Sequence, residues 1–329
     1  MGQAGWLLMM DQSTLINRVD GYISRLLDKS YDVYKASAHL VMAGGKRLRP
    51  TMVVRVYESL GGYGEDIIPA AASVELIHNF TLIHDDIMDN DEFRRGVPTV
   101  HKVYGVPLAI LAGDLLFALG YKALEEAKPF IEDKVKFYKG VSALSKSVID
   151  LCEGQNMDIK PLSEFNESYY YELIKKKTSS LFILSALLGV YAAGRFDLES
   201  YAISFGENFG IAFQLTDDLL GIIGEPSVTK KPVGSDLREG KSTLPIYLAI
   251  KRADESLKQK ILSVYGKNSE ESIVREVVEE IKKLNIEEEV NSILEVYVSR
   301  ALEALDKLGY GDAKEELRKM VNSLIGRRY

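Results

Sequence analysis

AAASVELIHNFTLIHDDIMDNDEFRRG, residues 70–96, decides how the chain folds. From Ala70 to Ile83 the residues are apolar at helical spacing with no Gly or Pro, which predicts a long helix ending in His84-Asp85-Asp86-Ile87-Met88-Asp89. Asp85 and Asp89 then lie one turn apart on one face. Carboxylates that close repel each other unless a cation or a hydrogen-bond donor neutralises them. Hard oxygen ligands suit Mg²⁺, which takes one or two carboxylates, several waters and substrate phosphates. Just beyond, Arg94 and Arg95 are of the type that forks onto phosphate oxygens. A lone Asp cluster also fits a solvated helix end followed by a basic loop, so the rest of the chain has to discriminate.

Upstream, Leu15, Ile16, Val19, Tyr22, Ile23, Leu26 and Leu27 give a helical pattern within Ser13 to Tyr57. It is interrupted by Gly44-Gly45-Lys46-Arg47-Leu48-Arg49-Pro50, a turn with three cations whose proline is placed to open the next helix. Downstream, Leu108 to Lys122 is apolar nearly all round and is expected to be buried. Helical patterns recur over Val135 to Met157, Glu167 to Gly194, Glu199 to Ile223 and Thr243 to Ala253, with three amphipathic stretches from Leu257 onward. No run alternates as a strand would. The expectation is an all-α chain: an N-terminal extension, 1–10, and a single domain of ten or more helices, 11–329.

Composition bounds the function. With 329 residues, 46% apolar and 27% charged, the chain can bury an ample core, and disorder is excluded. One cysteine, Cys152, rules out an internal disulfide framework and is expected in the core. The net charge of -7 argues against nonspecific nucleic-acid binding. Met1 to Met10 lacks the basic residues and the apolar length of a signal peptide, and the Ser179 to Gly194 run falls short of a membrane span. A cytoplasmic protein without a transmembrane segment is expected.

A second constellation answers the first: Phe213-Gln214-Leu215-Thr216-Asp217-Asp218-Leu219-Leu220-Gly221 again places carboxylates at the end of an apolar helix. The loop after it supplies Lys231, Asp236 and Lys241. If the two helices run side by side in a bundle, their carboxylates converge on one cavity. A cavity of mixed charge suits a diphosphate, with magnesium bridging protein and ligand and Arg and Lys taking the remaining oxygens. No GxxxxGK[ST] phosphate loop is present. A metal-bound diphosphate can instead depart as a leaving group, and apolar helix walls would suit its hydrocarbon tail.

These residues are familiar together. In order and spacing, Gly44 to Pro50, His78, Asp85 to Asp89 with Arg94-Arg95-Gly96, Gly154-Gln155-Asn156-Met157-Asp158, Lys177-Thr178 and Gln214 with Asp217-Asp218 are landmarks. Over essentially its whole length the chain resembles the trans-isoprenyl diphosphate synthases of the polyprenyl synthetase family. The resemblance implies a multi-helix bundle around a central cavity, a homodimer, and head-to-tail condensation of isopentenyl diphosphate onto C5 to C15 allylic diphosphates. It implies that Asp85 and Asp89 hold two Mg²⁺ ions on the allylic diphosphate and Asp217 a third, with Asp218 beside it. Arg94, Lys177, Lys241 and Lys231 would grip that diphosphate. Lys46, Arg49, His78 and Arg95 would bind isopentenyl diphosphate, and Lys177, Thr178 and Gln214 would lie near the developing allylic cation. Many relatives have a third Asp in the second cluster where this chain has Gly221, which leaves Asp217 as the ligand and Asp218 acting through water or hydrogen bonds.

Product length in this family depends on a residue about five positions before the first Asp. Here it is Phe80, about 7 to 8 Å down the helix from Asp85. Thr81 beside it is small, and Ile77 and Val74 lie deeper. The pattern resembles archaeal geranylgeranyl diphosphate synthases and implies a C20 product. Farnesyl or longer products, a class I terpene cyclase and a non-catalytic synthase subunit are the alternatives. His84 and His101 have no compelling partner in the sequence, His39 reads as structural, and Arg327-Arg328-Tyr329 reads as a solvated end.

Overall fold

The computed structural model describes residues 9–160, 165–224, 232–267 and 269–325. Among the described residues the chain is α-helical apart from short turns, loops and one two-stranded hairpin, as the all-α expectation has it. Its Cα packing forms two compact units: Met1–Val148 with Leu181–Gly206 and Leu305–Leu317, and Ile149–Ser180 with Glu207–Ala304 and Arg318–Tyr329.

The first unit is built on the helix Ile68–Met88, opened by Pro69 in its first turn. It is buried from Ile68 through Ile77 apart from Pro69, and again at Asn79, Ile83 and Asp86. The helix Val106–Glu126 packs along it, Gln12–Leu27 and Leu48–Ser59 cover further faces, and Asp32–Val41 packs on Val106–Glu126. Ser13 to Tyr57 thus contains a second break, at Asp28 to Tyr31, besides the Gly-rich turn. Past Asp89 the chain makes a two-stranded hairpin, Phe93–Arg94 with Val97–Pro98. Its tip, Arg95-Gly96, has positive φ at both residues (55° and 79°), which a two-residue hairpin of this hand requires. Strands of two residues leave no alternation to read.

The Val106–Glu126 helix corrects one expectation. Ala109, Ala112, Gly113, Leu116, Gly120, Ala123 and Leu124 are buried, but Val106, Ile110 and Leu111 are exposed. By length and composition alone Val106–Glu125 could cross a membrane. Cys152 is a second correction, because it is exposed. In its helix, Lys134–Asp158, the buried line runs through Leu144, Ser147, Val148, Leu151 and Gly154, and position 152 points away from it.

In the second unit, Leu244–Arg252 packs on Glu167–Ile174, and Glu255–Val264 packs on Leu244–Arg252, Ser235–Glu239 and Glu271–Lys282. From Leu257 onward the described residues form four helices, not three, ending with Ile286–Asp306 and Gly311–Asn322. The expected continuous helix from Glu167 to Gly194 is divided by a π-helical turn, Lys175–Ser179, before Ser180–Ala192.

Candidate active site

The Ile68–Met88 helix ends as its sequence implies. Asp89 is the C-cap, its N–H bonded to Asp85 O at 2.8 Å. Asp85 is half-buried and Asp89 exposed, while Asp86 turns inward, fully buried. Arg94 donates through Nε to Asp86 Oδ1 and through Nη2 to Asp91 Oδ2, at 3.2 Å for the latter. Burial holds the Asp86 carboxyl up at about 6 against the pull of that guanidinium. Asp85 and Asp89 offer hard oxygen donors at the negative end of a 21-residue helix dipole, a setting that favours a cation. Two carboxylates one turn apart are a donor set that fits Mg²⁺, an ion that takes one or two carboxylates with waters and phosphate oxygens.

Higher on the helix, basic groups gather. Arg47, in the left-handed region at φ 49°, is buried and donates to Asp20 Oδ1 (2.8 Å), Glu75 Oε1 (2.7 Å) and Val41 O (2.8 Å). Arg49 lies 4.4 Å from the Phe182 ring centroid and places Nη1 3.4 Å from His78 Nε2. Arg95 donates to Asn79 Oδ1 at 3.1 Å and Leu40 O at 3.3 Å. Burial, then Arg49, Arg95, Arg94 and Arg47, push His78 well below its usual range, so it is neutral at pH 7. Lys46 is exposed in the turn beside Arg47. A neutral imidazole among four guanidiniums is a setting for a polyanion.

The second unit joins three predicted residues in one network. Thr178 donates to Gln214 Oε1 (2.6 Å), and Gln214 Nε2 donates to Asp218 Oδ1 (2.7 Å). Fully buried Tyr170, which sequence reasoning missed, donates to Asp218 Oδ2 (2.6 Å). Its signal was the Tyr169-Tyr170-Tyr171 run, since a buried phenol needs an acceptor. Burial is the main cause that raises Asp218 to about 7, with Asp236 and Asp217 adding to it. Asp217 is exposed. Lys177 pairs with Asp158 and sits with Thr178 in the π turn, a widening that recurs at functional sites. Two close approaches make room for it: an added Cβ would lie 2.5 Å from Lys177 N at Gly154 and 2.4 Å from Ser179 Oγ at Gly210.

Gly221 has a similar explanation. A Cβ there would fall 2.1 Å from Asp236 Oδ2, so the Asp236 carboxylate fills the space of a side chain at the third position of the cluster. The backbone N–H of Lys241 donates to the backbone carbonyl of Asp236 at 2.9 Å, and the exposed Lys241 side chain pairs with Glu239.

Phe80 stands in a ladder of rings: His84 at 5.1 Å, Phe117 at 5.5 Å, and Tyr121 at 5.2 Å from Phe117. Tyr121 Oη lies 3.0 Å from Ser145 Oγ. Ile77 is buried against Gly120, and Thr81 donates to His78 O. His84 gains a partner the sequence did not reveal, Ile110 O at 3.1 Å, and His39 meets Pro98 O at 2.7 Å. His101 is buried, and neither ring nitrogen has a hydrogen-bond partner among the described residues. Lys231 and Arg327-Arg328-Tyr329 lie outside the described residues.

The chain is similar to known proteins over most of its length. The polyprenyl synthetase family model matches residues 31–281. The chain is 42% identical to the short chain isoprenyl diphosphate synthase of Methanocaldococcus jannaschii, over 84% of each chain. It is 38% identical to the geranylgeranyl diphosphate synthase of Saccharolobus solfataricus, covering 95% of this chain and 96% of that one. With the geranylfarnesyl diphosphate synthase of Aeropyrum pernix it shares 37% over 93% and 97%. Among solved structures, geranylgeranyl pyrophosphate synthetase from Pyrococcus horikoshii superposes with a TM-score of 0.86 at 36% identity, covering 95% and 96%. The Corynebacterium glutamicum geranylgeranyl pyrophosphate synthase, complexed with isoprenyl diphosphate and magnesium, gives 0.88 at 29%, covering 97% and 100%.

Proposed function

Since the chain belongs to the polyprenyl synthetase family and is a prenyltransferase, we propose that it condenses isopentenyl diphosphate with C5 to C15 allylic diphosphates and stops at geranylgeranyl diphosphate, C20. The observation that carries this is the division of charge along the Ile68–Met88 helix: carboxylates at its end, and a separate nest of guanidiniums around His78. Two such regions suit two diphosphates, one held through metal and one directly. A terpene cyclase needs only the first, and a non-catalytic subunit would not need the carboxylates.

Enzymes of this family depend on magnesium. Here Asp85 and Asp89 would hold two ions and Asp217 a third, and the ions would supply neutralising charge for the departing allylic diphosphate. Arg94, Lys177, Lys241 and Lys231 grip the same group. Lys46, Arg49, His78 and Arg95 hold isopentenyl diphosphate so that its double bond reaches the allylic carbon. Thr178 and Asp218 lock the Gln214 amide, whose fixed dipole lies near the developing cation. The departing diphosphate takes the proton lost after bond formation, so no side-chain base is required. Phe80, with Thr81 and Ile77 beside it and Phe117 behind it, floors the space for the growing chain.

The enzyme acts in the cytoplasm as a homodimer, with residues 11–329 working as one synthase domain. Exposed Val106, Ile110 and Leu111, and Val135, Tyr138 and Ile149 on Lys134–Asp158, support a second copy as the covering surface. Light scattering at micromolar concentration is expected to give twice the chain mass, and a monomer alone would count against it. The deciding assay supplies radiolabelled isopentenyl diphosphate, Mg²⁺ and C5, C10 or C15 primers in separate tubes. A C20 endpoint is expected; longer products would keep the reaction and discard the floor, and no condensation with any primer would end the proposal.

A further inference from the structure

Among the polar residues of the Ile68–Met88 helix, Glu75, Asn79 and Asp86 are buried and spaced to share one face. Each member meets an arginine, but not in the same way. Asp86 takes Arg94 as a carboxylate, so that guanidinium is neutralised where it lies. Glu75 Oε1 takes Arg47 at 2.7 Å and the Asn79 amide Nδ2 at 2.9 Å. Asn79 also donates to Glu75 O at 2.8 Å, which fixes which way its amide faces. Its Oδ1 is thereby aimed at Arg95 Nη1, 3.1 Å away.

Arg95 is therefore oriented by neutral acceptors, the Asn79 amide and the Leu40 carbonyl. Among the described residues the one carboxylate within 4 Å is Glu75, at 3.9 Å, and its oxygen is already occupied by Arg47 and Asn79. The Gly44-Gly45 turn closes over the pair: a Cβ on Gly45 would stand 3.2 Å from both the Arg95 and the Arg47 guanidiniums. A guanidinium held in place by an amide keeps its charge for a ligand, whereas one held by a carboxylate gives much of it up.

We propose that Asn79, locked by Glu75, is a positioning residue that orients Arg95 for isopentenyl diphosphate without neutralising it. This rests on the reading of Arg95 as an anchor of that substrate. The arrangement predicts a selective effect. In Asn79→Leu the KM for isopentenyl diphosphate rises about tenfold, the size expected from one lost hydrogen bond to a charged group, while kcat and the KM for the allylic primer stay within about twofold. Asn79→Asp keeps an oxygen in place but adds charge, so it fails to restore the wild-type KM. If the leucine variant does not fold, Asn79→Ser, polar but too short to reach Arg95, carries the same expectation.

Steady-state kinetics with each substrate varied, together with calorimetric titration of isopentenyl diphosphate alone, tests this. Folded variants with an unchanged KM and unchanged binding, an equal rise in both KM values, or full rescue by Asn79→Asp would each overturn the role of Asn79 while leaving the condensation reading intact. A wild-type protein that neither binds nor condenses isopentenyl diphosphate would overturn both.

Discussion

Tyr170, Asp218, Gln214 and Thr178 show what a single buried carboxyl demands. Asp218 has two donors, and burial still raises it to about 7. A group raised from 3.8 contributes stability that is complete below about pH 4 and is lost as pH rises through 7; Asp86, at about 6, acts in the same direction. In chelator, the wild-type protein is therefore expected to be less stable at pH 8 than at pH 5, and Asp218→Asn to remove roughly 1–3 kcal/mol of that difference in thermal melts. Tyr170→Phe takes one donor from the buried carboxyl and is expected to lower stability by about 1–3 kcal/mol in denaturant titrations. At the product end, Phe80→Ala and Phe117→Ala should each shift chain-length profiles upward, and unchanged profiles would remove the rings from the floor. Asp85, Asp89, Gln214 and Thr178 were legible because they stand in short motifs. The bond from Tyr170 to Asp218 spans 48 residues and leaves no periodic trace, and the amide of Asn79 looked like one more residue in an apolar helix.

The helices Glu199–Ile223 and Lys134–Asp158 fall where hydrophobic periodicity puts them, because a long buried stripe is a strong signal. Periodicity did not report what covers a stripe, so Leu108 to Lys122 was expected to be buried and its helix proved half-covered, and Cys152 was expected inside and lies outside. Nor did it report the π turn, since Lys175–Ser179 has ordinary helical composition. That turn depends on the absent side chain of Gly154. Gly154→Ala places a methyl 2.5 Å from the Lys177 amide nitrogen and is expected to cost about 1–3 kcal/mol, with a loss of kcat as Lys177 and Thr178 shift. Gly21→Ala is the contrasting case. It lies exposed inside Gln12–Leu27 with nothing within 4 Å of the new methyl, and should stabilise by about 0.5–1 kcal/mol in the same assay.

At the scale of the whole molecule, the chain carries a net -7, yet guanidiniums gather around His78 on the same helix that ends in Asp85 and Asp89. Mg²⁺ and inorganic diphosphate together are expected to raise the melting temperature, by the equivalent of about 2.7 kcal/mol at a hundredfold excess over Kd. Either alone should do much less, and chelator should reverse the effect; equal shifts with and without metal would argue against a metal-bridged diphosphate. The all-α class was legible from composition and period, whereas the division into two packing units had no counterpart in the sequence, which contains no linker. One rod, Ile68–Met88, ends at Asp85 and Asp89, and carries the support for Arg95 along one side and Phe80 along another. Its pitch of about 5.4 Å is close to the extended length of a five-carbon unit. Under the proposed reading the helix is a graduated gauge: exchanging a side chain one turn up or down is expected to reset the size of the product by one increment and to leave the headgroup chemistry untouched. Product range and reaction would then diversify independently, in natural descent or in the laboratory.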